Sequence, residues 1–247
     1  MSAPVFLLDP EMAARAREGD SLNLVGPESR HAVSVQRIRV GEPIELVNGR
    51  GRRIIGRVSG TDGSTCTVVV ERIVEEPEEH PRVTAVQAIA KGDRGELAVQ
   101  MLTEAGVDVV IPWQAEHSVA KWDGERAVKH RNKWASTAQE SAKQARRSWV
   151  PTVGSPISTA AVADLIANAG VALVLDEQST VPLTSIDFST AHDVLIVVGP
   201  EGGLSDNERT MFADAGADLV RLGSTVLRTS TAGVVALGVV LARVGRW

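Results

Sequence analysis

Cysteine is almost absent from this chain, since Cys66 is the only one among 247 residues. A single thiol cannot form a disulfide within the chain, and a zinc site built on cysteines needs several thiolates. A chain without disulfides fits a reducing compartment. The composition therefore excludes a disulfide scaffold and a cysteine-based metal centre, and we expect no bound metal.

Long hydrophobic runs are also missing. The longest apolar stretch near the C-terminus, residues 232–242, is well short of the roughly 20 residues that a membrane-spanning helix needs. At the N-terminus, Asp9, Glu11, Arg15 and Arg17 interrupt any apolar segment, so the sequence predicts no secretory signal. We expect a cytoplasmic protein with no membrane partner, in which 232–242 is a buried helix.

The charge of the chain is acidic overall but basic in one segment. A net charge of -5 argues against indiscriminate binding to nucleic acid. From Arg30 to Arg57, however, the sequence contains seven arginines and only two acidic residues, Glu42 and Glu45. The local net charge is therefore +5. Because arginine forks onto phosphate and stacks on bases, this segment is a candidate RNA contact. The alternative is a solvated face of short strands.

Residues 1–75 have the pattern of a small β domain. The apolar runs 43–47 and 66–70 are separated by turn signals at Asn48-Gly49 and at Thr61-Asp62-Gly63. Short strands at this spacing favour a small barrel, and a helix is expected over 27–37. An acidic stretch with two prolines follows, and we interpret 76–82 as an interdomain linker.

From residue 83 onward, predicted strands alternate with predicted helices. The strands are expected at 83–89, 107–111, 171–175, 194–198 and 219–222. The helices include one that ends near Gly106, one over 127–147, one that begins at Ser205 and ends near Gly216, and an apolar one that ends near Val244. This alternation indicates a largely parallel α/β sheet over 83–247, whose ligands bind beyond the carboxyl ends of the strands.

Two polar loops follow two of these strands. The first, Gly199-Pro200-Glu201-Gly202-Gly203, permits positive φ and a close approach of a ligand to the backbone. It matches neither the dinucleotide fingerprint nor the phosphate loop, and on its own it could be an ordinary turn. The second loop runs from Leu222 to Gly233 and carries Arg228 before a buried helix. Together the two loops predict a ligand site.

The loops resemble those of the SPOUT methyltransferases, and most of all those of the RsmE family, which methylates N3 of one uridine in bacterial 16S ribosomal RNA. The resemblance extends over nearly the whole chain. It is carried by Gly199 to Ser205, Leu222-Gly223, Val226 to Thr229, Thr231-Ala232, His31-x-x-x-Val35-x-Arg37, Lys91-Gly92-Asp93, Gln100, Glu104, Gly106-Val107, Glu116 to Val119, Gln144, Arg147 and Pro151.

The resemblance implies an α/β protein in two parts. Its C-terminal domain would be a trefoil-knotted SPOUT methyltransferase domain, an exception to the rule that proteins are unknotted. Its N-terminal domain would be a PUA-like β-barrel that binds RNA. The cofactor would be S-adenosyl-L-methionine, the partner 16S ribosomal RNA or the small ribosomal subunit, and the assembly a homodimer.

The resemblance also implies which residues act. The cofactor-binding positions would be Leu175, Asp176, Glu177, Val198, Gly199, Pro200, Glu201, Gly202, Gly203, Leu222, Gly223, Val226, Leu227, Arg228, Thr229, Ser230, Thr231 and Ala232. The RNA-binding positions would be Arg30, His31, Arg37, Arg39, Arg50, Arg52, Arg53, Lys91, Arg94 and Arg147. For catalysis, Arg228 is the candidate that stabilises the developing uracil anion, and Glu201 the candidate that accepts the N3 proton.

Two positions depart from the family pattern. Ser230 and Lys143 stand where the family usually has glutamate. Two other functional classes are alternatives: Ser230 favours the first, while the missing dinucleotide and phosphate-loop patterns and the separate arginine-bearing β domain count against the second. One is a non-catalytic RNA-binding or ribosome-assembly protein that retains the knot. The other is a nucleotide-binding α/β enzyme that acts on a small molecule.

Overall fold

The computed structural model describes residues 3–247, which form two compact units. The first unit comprises the residues up to Glu78 together with Ala142–Val150, and the second comprises Glu79–Ser141 and Pro151–Trp247. The sequence predicts that 142–150 belongs to the C-terminal domain. The structure groups it with the first unit because Lys143 pairs with Glu28 at 2.7 Å, and the Trp149 indole donates to the Glu76 carbonyl at 2.9 Å.

The first unit is built on a five-stranded sheet. Its strands are β1 (Val5–Leu7), β2 (Ser21–Leu24), β3 (Pro43–Val47), β4 (Arg52–Thr61) and β5 (Cys66–Glu75), in the order β1-β3-β4-β5-β2. All neighbouring strands are antiparallel except β1 and β3, which are parallel. The strand predicted at 43–47 is confirmed, and the one predicted at 66–70 continues to Glu75.

Two short helices accompany this sheet. They are α1 (Pro10–Arg15) and α2 (Gly26–Arg30), and a π-helical turn, His31–Val35, continues α2 directly. The helix expected over 27–37 is therefore present, but it changes to π geometry and ends before Arg37, whose φ of 55° is left-handed. The core of the unit is apolar, with Phe6, Ile44 and Leu46 almost fully buried.

The second unit contains a six-stranded sheet in which every neighbouring pair is parallel, as the alternating pattern predicted. The strands are β6 (Arg82–Ala88), β7 (Val109–Trp113), β8 (Thr152–Val153), β9 (Val171–Leu175), β10 (Asp193–Val198) and β11 (Asp218–Val220). Their order is β11-β9-β10-β6-β7-β8. The continuous apolar run of β10 is buried on both faces, which is typical of a central parallel strand.

Helices cover both faces of this sheet. They are α3 (Arg94–Ala105), α4 (Gly124–Gln144), α5 (Thr159–Asn168), α6 (Asp206–Asp214) and α7 (Thr229–Arg243), with a 3-10 turn at Leu183–Ser185. One core includes Leu102, Trp134 and Leu237 from α3, α4 and α7. The other includes Ile166 and Phe212 from α5 and α6. Among residues 3–247, no helix is long and apolar enough to span a membrane.

The strand register places the ends of β9, β10 and β11 side by side. Val198 pairs with Leu175, and Leu175 pairs with Val220. Because parallel strands end at the same edge of a sheet, the segments that follow these three strands emerge together. The two loops singled out in the sequence therefore meet at one edge of the second unit.

Candidate functional site

A cavity of about 450 Å³ lies at the carboxyl ends of β9, β10 and β11. This size falls within the range of roughly 300–1,000 Å³ that is usual for small-molecule sites. Its walls are the three strand ends and the segments that follow them. The lining residues are Arg94, Leu175, Asp176, Glu177, Val198, Gly199, Pro200, Glu201, Gly202, Gly203, Leu204, Arg209, Val220, Arg221, Leu222, Gly223, Ser224, Thr225, Val226, Leu227, Arg228, Thr229 and Ala232.

The glycine loop, residues 199–203, is a tight turn between β10 and α6. The Gly203 N–H donates to the Pro200 carbonyl at 3.0 Å, and Gly203 has a φ of 71°, which favours glycine. The next helix begins with a capping box, in which Ser205 and Glu208 bind each other's backbone N–H groups. The turn and the cap together set the direction in which the chain leaves β10.

Two hydrogen bonds of the Thr229 hydroxyl connect the glycine loop to α7. The Thr229 hydroxyl donates to the Gly199 carbonyl at 2.7 Å and accepts from the Gln87 side-chain amide at 2.9 Å. Gln87 is fully buried at the end of β6. The first residue of α7 is thereby fixed against the first residue of the glycine loop.

The arginine loop, residues 221–228, forms the opposite wall. Its start is anchored because the Arg221 N–H donates to the Val181 carbonyl at 2.8 Å, while the Arg221 carbonyl accepts from Leu183 at 3.0 Å. Its end is the N-cap of α7, where the Arg228 carbonyl accepts from Ala232 at 2.9 Å. All eight residues of the loop line the cavity, and they include apolar, small polar and arginine residues.

The charged groups of the cavity differ in how they are paired. Arg209 donates to Asp176 at 2.9 Å, and both side chains are largely buried. Glu201 accepts from the Lys91 N–H at 3.2 Å and lies 3.7 Å from Arg94. Among residues 3–247, the exposed side chains of Arg221 and Arg228 form no ion pair or hydrogen bond. These two guanidinium groups are available to an anionic partner.

Most of the residues expected to bind the cofactor do line this cavity, and only Ser230 and Thr231 do not. A helix turns by about 100° per residue, so Thr229 and Ala232 share one face of α7 while the two residues between them face elsewhere. Ser230 is only 3% exposed. Its side chain is packed inside the second unit and does not reach the cavity.

The cavity also contains residues that the sequence did not assign to it. Leu204, Val220, Arg221, Ser224 and Thr225 continue the segments that were expected, so a wider window around each loop would have included them. Arg209 gave no signal of its own. It lies one turn into α6, and only the fold brings it to Asp176.

The arginines expected to bind RNA in the first unit have two different environments. Arg30, Arg37, Arg39 and Arg50 are exposed, and His31 is half-buried with its ring edge against Phe6. By contrast, Arg52 and Arg53 form ion pairs within the unit.

Arg52 pairs with Glu75 and also donates to the Ala16 carbonyl at 3.0 Å. The Arg53 side chain is 13% exposed and binds Glu45 at 2.6 Å as well as Glu76. Because these guanidinium groups are already paired, the structure does not present Arg52 and Arg53 as free cations for RNA, contrary to expectation.

The other three expected RNA contacts lie in separate places. Arg94 lines the cavity, and Lys91 is an exposed residue three positions before it. Arg147 belongs to the first unit, where its N–H donates to the Ala142 carbonyl at 2.8 Å. Of the expected RNA contacts, only Arg94 is among the cavity residues.

Comparison with protein-family models defines the class of the protein. Residues 77–241 match the RNA methyltransferase domain, and residues 26–71 match the RNA methyltransferase PUA domain. The chain is therefore an RNA methyltransferase by family, with a PUA domain ahead of the α/β domain that holds the cavity.

Similarity to individual proteins identifies the family within this class. The chain is 42% identical over 228 residues to ribosomal RNA small subunit methyltransferase E of Mycobacterium tuberculosis, a match that covers 90% of this chain and 86% of the relative. It is 29% identical to the Bacillus subtilis protein of the same name, over 90% of each chain. The chain belongs to the ribosomal RNA small subunit methyltransferase E family, which confirms the resemblance read from the sequence.

Two solved structures have the same fold. The methyltransferase E of Neisseria gonorrhoeae, bound to S-adenosyl methionine, has a TM-score of 0.87 and 25% identity, over 98% of each chain. A Legionella pneumophila protein, in complex with the bound cofactor SAM, has a TM-score of 0.88 and 26% identity, also over 98% of each chain. The fold of the whole chain is therefore that of proteins crystallised with this cofactor.

Proposed function

We propose that this protein transfers the methyl group of S-adenosylmethionine to N3 of one uridine in 16S ribosomal RNA. The observation that carries the proposal is the cavity at the ends of β9, β10 and β11, in a chain that belongs to the ribosomal RNA small subunit methyltransferase E family. The M. tuberculosis and B. subtilis relatives are named for this class of substrate, and the N. gonorrhoeae relative was crystallised with this cofactor.

The residues of the cavity fit this cofactor in size and chemistry. A volume of about 450 Å³ accommodates a nucleoside joined to an amino acid. The strand ends and the two loops offer backbone donors and acceptors for the adenine and ribose, and Gly203 leaves open space where another residue would have a Cβ atom. The cofactor would be held by residues 175–177, 198–204 and 220–229 and by Ala232. When bound, it supplies a methyl group on a sulfonium that is a good leaving group.

The residues of this chain then have three tasks. They position the base in line with the methyl group, which we expect to be their largest contribution. The free guanidinium of Arg228 stabilises negative charge on the uracil carbonyls as the N3 proton leaves. Glu201, which is one of the residues that line the cavity, accepts that proton. Because the N3 position is paired or stacked in folded RNA, the base must be unstacked to reach the site.

The PUA domain would contact the RNA. Arg30, Arg37, Arg39 and Arg50 are the exposed cations that we assign to RNA in the PUA domain. We also propose the trefoil knot in the α/β domain and a cytoplasmic location, where ribosomal RNA is found.

A homodimer is a further part of the proposal. Leu97 on α3, Val235 on α7 and the terminal Trp247 expose large apolar side chains, a surface that a second copy of the chain would cover. Sedimentation of the purified chain tests this point, since a monomer at micromolar concentration would exclude a stable dimer.

Mapping of 16S ribosomal RNA by mass spectrometry in a deletion strain tests the methylation directly. We expect one methyluridine to disappear on deletion and to return with the wild-type gene but not with Arg228→Ala. Arg243→Ala, at the other end of α7, removes a different exposed arginine and should restore the modification. Unchanged RNA in the deletion strain would refute the proposed function.

Calorimetry with S-adenosylmethionine separates the remaining alternatives. The absence of binding would exclude a methyltransferase of this type. Binding without transfer to ribosomal RNA would favour the non-catalytic ribosome-assembly protein.

A further inference from the structure

His117 contacts the glycine loop from outside the cavity. It lies on the segment between β7 and α4, and its Nδ1 atom is 3.2 Å from the Gly202 carbonyl oxygen and 3.1 Å from the Gly203 carbonyl oxygen. Both oxygens are acceptors only, so Nδ1 must carry the hydrogen. The contact therefore selects the tautomer of neutral His117 that is protonated on Nδ1.

The segment that carries His117 is itself fixed. The Glu116 N–H donates to Glu208 Oε1 at 2.8 Å, and the Ser118 N–H donates to the Ala115 carbonyl at 3.1 Å. Glu208 is only 2% exposed and is also the capping-box residue of α6. One buried carboxylate thus holds both the His117 segment and the helix that follows the glycine loop.

Gly202 provides the space that this contact needs. A Cβ atom on Gly202 would lie 2.9 Å from the Cβ atom of His117, closer than two such carbons approach in proteins. The histidine and the loop are therefore packed directly against each other, and the single Nδ1–H of His117 is shared between the two carbonyl oxygens at that contact.

The orientation of the Gly203 carbonyl also fixes the orientation of the Leu204 N–H. Gly203 and Leu204 line the cavity, whereas His117 does not. In a planar trans peptide the C=O and the N–H point to opposite sides, so a Gly203 carbonyl held towards His117 directs the Leu204 N–H away from it. In the described chain this N–H has no hydrogen-bond acceptor.

We propose that His117 is a positioning residue, which holds the glycine loop in the conformation that presents the Leu204 N–H to the bound ligand. The inference rests on the proposed function for the identity of that ligand, S-adenosylmethionine. His117 acts through the loop, because its ring contacts the outer carbonyls and does not line the cavity.

A pair of variants of equal size tests the need for a donor. His117→Asn keeps an N–H donor near the position of Nδ1, whereas His117→Asp replaces it with a carboxylate that repels both carbonyls. By calorimetry, we expect the Asp variant to bind S-adenosylmethionine at least about 10-fold more weakly than the Asn variant, given the usual cost of an unmatched hydrogen-bonding group. His192→Asn, at the opposite end of β10, removes a histidine far from the cavity and controls for the general loss of this side chain.

Two measurements without ligand separate positioning from a general loss of stability. Nitrogen-15 NMR of the wild-type protein above pH 8 should show His117 protonated on Nδ1. Hydrogen exchange at the Gly203 amide, which closes the turn onto Pro200, should be faster in His117→Asp than in His117→Asn, while amides in β6 and β10 stay equally protected.

The outcomes also separate this inference from the proposed function. Equal affinity of the Asn and Asp variants, or a His117 protonated on Nε2, would overturn the positioning role. If the wild-type protein fails to bind S-adenosylmethionine, the proposed function fails, while the tautomer and the exchange at Gly203 still decide whether His117 positions the loop.

Discussion

Glu201 lines the cavity and at the same time accepts the Lys91 N–H just before α3. A carboxylate in this position can act as a base. Alternatively, its hydrogen bond can have a structural role and hold the glycine loop against the segment before α3. One of its oxygens, Oε1, accepts the hydrogen bond from the Lys91 N–H. The other oxygen is the one that we assign to proton transfer.

Substitution of Glu201 distinguishes these roles. Glu201→Gln keeps an acceptor for the Lys91 N–H but cannot take a proton, so we expect the rate of methyl transfer to fall about 100-fold or more while cofactor affinity stays within a few-fold. Glu201→Ala also removes the hydrogen bond to the Lys91 N–H, so it should lower both the rate of methyl transfer and the cofactor affinity. Single-turnover transfer to RNA and calorimetry measure the two quantities. A Gln variant with the wild-type rate would show that Glu201 has only the structural role.

Some residues of the cavity are predictable from the sequence and others are not. Neither the glycines after a buried strand nor the arginine before a buried helix indicates a ligand site alone, but the two loops together, and their resemblance to a known family, predicted the cavity. Arg209 could not be identified, because only the packing of α6 brings it to Asp176. Ser230 was assigned to the cofactor by its motif, although the turn of α7 directs it away from the cavity.

At the scale of elements, the parallel sheet was predictable and the ionic contacts of the first unit were not. Runs such as 171–175 and 194–198 are apolar throughout, so they specify buried parallel strands almost to the residue. The pairing of Arg53 with Glu45 and Glu76 depends on how β3, β4 and the end of β5 come together. A row of arginines in the sequence does not indicate which of them will be paired.

The Glu76 cluster predicts how the first unit responds to acid. Burial raises the pKa of Glu76, but hydrogen bonds from Arg53 and Ser148 and the positive charge of Arg53 outweigh it, so the pKa lies below the ordinary value of 4.5. A carboxyl group with a depressed pKa in the folded state stabilises the fold above its unfolded pKa and loses that contribution as pH falls through the folded value.

We therefore expect the melting temperature of the wild-type protein to fall as pH decreases from 5 to 3. The Glu76→Gln variant should be less stable at pH 7 and less dependent on pH over the same range. Glu78→Gln, at an exposed neighbouring position, is the matched control. Parallel pH curves for wild type and Glu76→Gln would contradict the assignment.

At the scale of the whole molecule, residues far apart in sequence complete each unit. Lys143 reaches Glu28 in the first unit, which explains why 142–150 belongs there despite its position in the chain. In the second unit, Arg246 binds Asp108 at 2.7 Å and Glu79 at 2.8 Å, and also donates to the Pro81 and Gly106 carbonyls. None of these long-range pairs has a local signal in the sequence.

The Arg246 contacts predict that the last residues of the chain are needed for stability. The Arg246 side chain is 5% exposed, so Arg246→Ala removes a largely buried ion pair with Asp108 together with the contacts to Glu79 and to two carbonyls, and it should cost about 3 kcal/mol of unfolding free energy. Arg243→Ala, which loses one long hydrogen bond to the Ile186 carbonyl, should cost about 1 kcal/mol or less. Urea unfolding of both variants measures the difference, and equal losses would show that the Arg246 contacts contribute little.

The most direct test of the account is the transfer of a labelled methyl group from S-adenosylmethionine to small-subunit ribosomal RNA by the purified full-length chain. The RNA should come from a strain that lacks the gene, so that the target position is unmodified. We predict about one methyl group per RNA, at N3 of a single uridine. No incorporation by folded protein, with naked RNA and with assembled small subunits alike, would contradict the central claim.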